Sequence, residues 1–216
     1  LATQVASRQP VWFSVDLNTA RLTSRSADPV AQGRSWLDET NSLFHFVQSP
    51  PPRLVIIGAV HITQHLSAMA AQAGFQVVVV DPRAVFASQL RFGPECDLQL
   101  SWPSDYLAEH HPDSSTALVT LTHDPKIDDD ALIPVLDAPL FYLACLGSRR
   151  THEKRLSRLS DAGATKNQLA RITGPAGLDI GAKTPAEIAV SILAQLIAAW
   201  RAGPVASCAA AQAQHS

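Results

Sequence analysis

The chain has 216 residues, 46% of them hydrophobic and 17% charged, with 15 Pro and 10 Gly. That composition is globular and excludes a disordered, collagen-like or coiled-coil protein; a chain this long buries roughly 70% of its unfolded surface without a disulfide or metal staple. With 17 basic and 19 acidic residues the net charge is −2, so no basic field points to nucleic acid or an anionic membrane.

Cys96, Cys145 and Cys208 are far apart, an odd and unpatterned set. It fits a reducing, cytoplasmic compartment and neither a disulfide framework nor a zinc site. No apolar run reaches the roughly 18 residues of a membrane span. The longest, Leu54 to Val60, is short and contains Gly58. The first twenty residues carry Arg8 and Asp16 without an apolar h-region, so no signal peptide is expected. A chain starting at Leu1 reads as a processed or truncated form of something longer.

Val11 to Leu22 alternates apolar and polar residues around Asp16 to Thr19, the pattern of a β-hairpin. Trp36 to Val47 is a second, partly apolar stretch, and Ser49-Pro50-Pro51-Pro52 is a stiff spacer that marks a boundary. Residues 1–49 thus read as a small β-containing N-terminal segment, short for a whole domain. From Arg53 the pattern becomes regular. Leu54–Ile57 is continuously apolar, as a strand buried on both faces must be. Ile62, Leu66, Met69, Ala70 and Ala73 follow helical spacing up to Gly74. Further strands are expected at Phe75–Val80, Leu98–Trp102, Ala117–Leu121 and Leu140–Leu146, with helical segments between them. Pro134 must kink or shorten the helix before the last strand.

Strands alternating with helices predict an α/β fold, a doubly wound parallel sheet of Rossmann-like type, over residues 50–202. A last helix starts at Thr184-Pro185-Ala186-Glu187, with a Thr cap, Pro at its first position and Glu at its third. Its stripe Ala189, Ile192, Leu193, Leu196, Ile197 and Trp200 could pack on the sheet or form a homodimer. Residues 203–216 read as a flexible tail.

In such a sheet the ligand crevice lies outside the carboxyl ends of the strands. Four segments fall there. Gly58-Ala59-Val60-His61 occupies the place of a dinucleotide fingerprint, with Val60 where the second glycine belongs and Thr63 at the third. A Val side chain there would obstruct the approach of a pyrophosphate, so no NAD(P) is expected. Asp81 is placed either to reach a ribose hydroxyl or only to cap the turn before Pro82. Thr122 to Lys126 contributes His123, an acid, base or hydrogen-bonding group, and Asp124, a ligand contact or a cap for the next helix. Gly147-Ser148-Arg149-Arg150 opens a helix whose free N–H groups favour an anion. Two arginines there oppose the helix dipole unless an anion is present; the alternative is a solvated basic face running on through Lys154, Arg155 and Arg158.

The loop Gly174 to Gly181 carries glycines at 174, 177 and 181, which implies special backbone conformations or close approach to a ligand, with Asp179 as its polar contact. Its alternative is a plain connection. His61 and His65 have chelating spacing but no third ligand, so no metal is expected. Cys145, inside an apolar strand, reads as a core thiol.

Taken together these segments resemble one family, the xanthine dehydrogenase accessory factors of the XdhC/CoxI type. The resemblance rests on Val55 to His61, Val80 to Arg83, Leu121 to Lys126, Leu146 to Thr151 and Gly174 to Glu187, and covers roughly residues 50 to 201. It implies a chaperone that binds molybdenum cofactor, protects it and helps deliver it to a client such as xanthine dehydrogenase, with a sulfur-donor enzyme as a further partner. The crevice would then take a pterin and its phosphate, lined by Gly58, His61, Asp81, His123, Asp124, Lys126, Gly147, Ser148, Arg149, Arg150 and Asp179, with no catalytic residue. Members usually carry an N-terminal cysteine motif and a glycine in place of Val60; residues 1–50 here contain no cysteine. Two other readings stay open: an NAD(P)-dependent oxidoreductase with His123 as acid or base, and a degenerate Rossmann domain that only binds partners.

Overall fold

The computed structural model describes residues 8, 11–26, 35–48, 50–83, 92–94 and 96–202. The tail expected at 203–216 lies outside them. The chain divides into two compact units, Leu1–Pro51 and Pro52–Ser216.

The first unit holds strands β1 (Val11–Asp16), β2 (Arg21–Ser26), β3 (Trp36–Asp38) and β4 (Leu43–Gln48), antiparallel in the order β2-β1-β4-β3. Asp16 and Asp38 make the turns. Each side chain accepts N–H bonds from residues two and three positions on, Asn18 and Thr19 in one case, Thr40 and Asn41 in the other. The second hairpin is the stretch Trp36 to Val47 folded back on itself.

The second unit runs β5 (Arg53–Ile57), α1 (His61–Gln72), β6 (Gln76–Val80), β7 (Cys96–Gln99), α2 (Pro103–Glu109), β8 (Thr116–Thr120), α3 (Pro125–Leu132), β9 (Tyr142–Cys145), α4 (Arg149–Asp161), α5 (Lys166–Leu169) and α6 (Pro185–Ala202). All five strands are parallel, in the order β7-β6-β5-β8-β9. Chain direction across the sheet therefore reverses between β5 and β8, the doubly wound arrangement. The third parallel strand sits earlier than Leu98–Trp102, because Trp102 is already the N-cap of α2 and Pro103 its first residue. Pro134 acts as expected: α3 stops at Leu132 and a single 3-10 turn, Ile133–Val135, follows.

Side chains of the strands alternate between two cores. Leu54, Ile56, Val77, Val79, Ala117, Val119 and Ala144 meet Leu66 and Ala70 of α1 and Ala189, Ile192 and Leu196 of α6. Val55, Ile57, Val78, Val80, Leu118 and Leu143 meet Tyr106 and Leu107 of α2, Ile127, Ala131 and Leu132 of α3, and Leu159 of α4. The α6 stripe is thus used inside the chain, with Trp200 against Phe141 at 4.9 Å, which removes the basis for expecting a homodimer from it. Among the described residues no helix is long and apolar enough to cross a membrane.

Leu118 is fully buried at the centre of the α2–α3–α4 core. Leu118→Ala should cost about 2–5 kcal/mol, measured as a lower denaturation midpoint with an unchanged slope.

Candidate functional site

The turns after β5 and β8 meet where the sheet reverses. Gly58 has φ +107°, and a Cβ on it would lie 2.6 Å from Thr122 Cγ2, so only glycine fits. Thr63, at the third position of the fingerprint, is buried and donates to the Gly58 carbonyl. Val60 is the N-cap of α1, in an extended conformation with no side-chain cap. Its side chain packs in part against the α1–α6 core instead of standing free over the turn. A second group of this turn is also committed: the Ala59 N–H donates to Asp81 Oδ2 at 2.8 Å.

Of the two roles open to Asp81, a ribose contact or a cap of the turn before Pro82, its hydrogen bonds are those of the cap. It is fully buried, and both its oxygens are taken. Besides Ala59 N–H they accept the Arg83 N–H at 2.9 Å and the Arg83 guanidinium through Nε at 2.9 Å and Nη2 at 2.8 Å. Burial by itself would raise the Asp81 carboxyl, but these bonds and the Arg83 charge hold it below the usual carboxylate value. Asp81 clamps two crevice turns together and presents no atom to a ligand.

Thr122 to Lys126 leads from β8 into α3. His123 is exposed. Asp124 caps α3, accepting the Lys126 N–H at 3.0 Å, while Lys126 is exposed. Thr122 is buried; its hydroxyl accepts the Asp124 N–H at 3.2 Å and donates to Asp128 Oδ1 at 2.6 Å.

Gly147, with φ +138°, and the cap Ser148, which accepts the Thr151 N–H at 3.2 Å, open α4. Arg149 and Arg150 are exposed on its first turn, which holds no acidic residue. The solvated basic face stops with Lys154. Arg155 is 3% exposed and pairs with Asp128 at 3.1 Å, and Arg158 pairs with Asp129 at 2.7 Å. Opposite charges inside the apolar stripes of two successive helices, Asp128 beside Ala131 and Leu132, Arg155 beside Leu159, were the signal for this pair.

Two of the three loop glycines after β9, Gly174 and Gly177, serve packing; a Cβ on Gly181, at φ +71°, would meet nothing. A Cβ on Gly174 would overlap the His152 ring of α4, and one on Gly177 would lie 2.3 Å from Ser191 Oγ of α6. Gly177 N–H and the Tyr142 hydroxyl both donate to Gln195 Oε1. The loop is therefore pinned to α6, with Asp179 exposed on it. His152 is pushed below its ordinary pKa by burial and then by the Arg155 charge. His61 and His65 are exposed on α1, and no group of three metal-ligating side chains occurs among the described residues. Of the residues singled out in the sequence, Gly58, Asp81, Asp124, Gly147 and Ser148 shape the turns. His61, His123, Lys126, Arg149, Arg150 and Asp179 are exposed side chains on them or beside them.

The XdhC Rossmann domain model matches residues 54–196. Over 159 residues the chain is 32% identical to an uncharacterized protein of Escherichia coli K12, YqeB, covering 72% of this chain and 29% of that one. It is 31% identical over 160 residues to a probable xanthine dehydrogenase subunit of Bacillus subtilis, covering 74% and 46%. Over 84 residues it is 34% identical to the molybdenum cofactor insertion chaperone PaoD of E. coli K12, covering 39% and 26%. The chain thus spans less than half the length of these relatives. A crystal structure of a xanthine dehydrogenase from Bacillus halodurans superposes with a TM-score of 0.72 at 25% identity, over 95% of this chain and 64% of that one.

Because the folded-state pKa of Asp81 is depressed, its stabilisation is present above the unfolded value of 3.8 and is lost as pH falls through the lower folded value. Asp81→Asn should cost roughly 1–3 kcal/mol at neutral pH, the side of Arg83 open to water limiting the loss. Melting curves of the two proteins should converge as the pH is taken below that value; a gap that stays constant into acid would refute the charged clamp.

Proposed function

The chain belongs to the XdhC Rossmann domain family, and from that premise we propose that it holds molybdenum cofactor for delivery to a xanthine dehydrogenase-type client. Two similarities support the reading, to a molybdenum cofactor insertion chaperone and to a protein named as a probable part of xanthine dehydrogenase. The observation that carries it is the start of α4. Arg149 and Arg150 stand exposed on a first turn without an acidic residue, beside backbone N–H groups that favour an anion. Adjacent guanidiniums repel each other and oppose the helix dipole, and a bound phosphate removes both costs. The cargo's phosphate would sit there, with His61, His123 and Lys126 facing the pterin. Gly58, Gly147, Ser148 and the capping Asp124 would hold the turns that surround it, and Asp179 would close the far side.

Holding and release require no turnover chemistry. Cys96 and Cys145 are both buried, and burial pushes the Cys145 thiol up to about 11, away from a thiolate at neutral pH. A sulfur-donor enzyme that docks on the loaded protein would be a further partner on this reading.

Sulfate or phosphate should raise the melting temperature of the cargo-free protein. Arg149→Gln with Arg150→Gln should abolish that rise and weaken pterin-phosphate binding by roughly 2–4 kcal/mol, at about 1.5 per charge-assisted contact. Lys154→Gln, further along α4, should change neither; equal losses would mean a diffuse basic face and no site. His123→Ala should leave stability within about 0.5 kcal/mol of the parent, since the ring is exposed. The same variant should retain less pterin, read as fluorescence of the released and oxidised cofactor. Undiminished retention would take His123 out of the site.

A further inference from the structure

We infer that Arg155 is the positioning residue of the crevice: from beneath the Gly147–Arg150 turn it ties that turn to the Thr122–Asp128 segment. The inference rests on the α4 start being the anion contact. One nitrogen makes both ties. Arg155 Nη2 donates to the Leu146 carbonyl at 3.0 Å, immediately before Gly147, and to Asp128 Oδ2 at 3.1 Å. The other Asp128 oxygen accepts the Thr122 hydroxyl, which in turn accepts the Asp124 N–H. A continuous series of bonds therefore runs from Leu146, just before the turn that opens α4, to the residues on either side of His123.

Three features set this pair apart from an ordinary stabilising contact. Both members are about as deeply buried as the core, 3% exposed in each side chain. A buried ion pair of this kind is seldom better for stability than apolar residues of the same size. The guanidinium is also incompletely satisfied: Nε and Nη1 are buried with no partner among the described residues. A contact kept for stability alone would saturate these donors. What this one does is fix the distance between two turns whose exposed side chains, His123 on one and Arg149 and Arg150 on the other, must reach a single ligand.

Sulfate, a dianion throughout the neutral range, is the probe, titrated by calorimetry into the full chain and into its variants. Arg155→Met removes the ties and leaves Asp128 buried and unpaired, so stability and sulfate affinity should both fall, the affinity on the order of ten-fold as for residues that orient ligands from behind. Arg155→Lys, whose single ammonium can donate to both oxygens, should recover part of the affinity. Arg155→Met with Asp128→Leu restores an apolar core and hence stability, but should leave sulfate binding weak. In the Arg149→Gln, Arg150→Gln background, Arg155→Met should cause no further loss. Recovery of wild-type affinity along with stability in the Met/Leu variant would overturn the positioning role alone. Absence of sulfate binding by the unaltered protein would overturn the anion reading of the α4 start on which it depends.

Discussion

The sheet reverses direction between β5 and β8, and at that point two turns approach so closely that a Cβ at position 58 would sit inside van der Waals contact with Thr122. Much of the candidate site follows from this contact. Thr122, held at the contact, is placed to bond both the backbone of Asp124 and the carboxylate of Asp128. Asp128 is then fixed where Arg155 of the next helix can pair with it, and Arg155 reaches back to the Leu146 carbonyl before Gly147. The fold brings three strand ends together by topology, and these bonds determine how far apart they stay.

Two buried carboxylates near the crevice show opposite electrostatic balances. Asp81 has hydrogen bonds to both oxygens, two of them from backbone N–H groups, and its carboxyl stays below the ordinary value. For Asp128 burial prevails over the Thr122 and Arg155 bonds, and its carboxyl is raised. The difference is one of donors: two backbone N–H groups serve Asp81, whereas the bonds of Asp128, from Thr122 and Arg155 above all, come from side chains and do not repay its desolvation. Linkage then runs in opposite senses. Ionised Asp81 adds stability that acid removes, whereas Asp128 favours the folded state below its unfolded pKa and loses that contribution as pH rises through its folded one.

The strands and the class of fold were legible because strands buried on both faces leave continuous apolar runs, of which Leu54–Ile57 and Val77–Val80 are the plainest. Boundaries slipped where a capping residue is itself apolar, as at Trp102, which resembles the end of a strand and is the start of α2. At the crevice, residue types were read correctly but their partners were not. Asp81 could be placed at a strand end without any sign that Arg83, two residues on, would take its oxygens. Arg155 was taken into a charged run because most of its neighbours in sequence are polar; only its helical phase, one turn before Leu159, marks it as inward. Gly174 and Gly177 signalled close approach, and the approach is to His152 and Ser191 of the chain itself.

These internal bonds also decide which half of the crevice can receive an anion. In a dinucleotide-binding fold the pyrophosphate meets the first turn, at the start of the helix after the first strand. Here that turn has its Ala59 N–H committed to Asp81, and the Asp81 carboxylate places a negative charge beside the start of α1. The charge, offset by the Arg83 guanidinium that pairs with it, complements the helix dipole in the manner of a bound anion and leaves one N–H fewer for a ligand. Among the described residues no carboxylate takes a bond from the start of α4. Its first turn carries no acid, its cap is a neutral serine, and its two exposed side chains are cationic. On the proposed reading the anion contact lies at the β9 end of the sheet and not at the β5 end, and a ligand with one anionic group fits that distribution of charge better than one whose diphosphate must lie over Gly58.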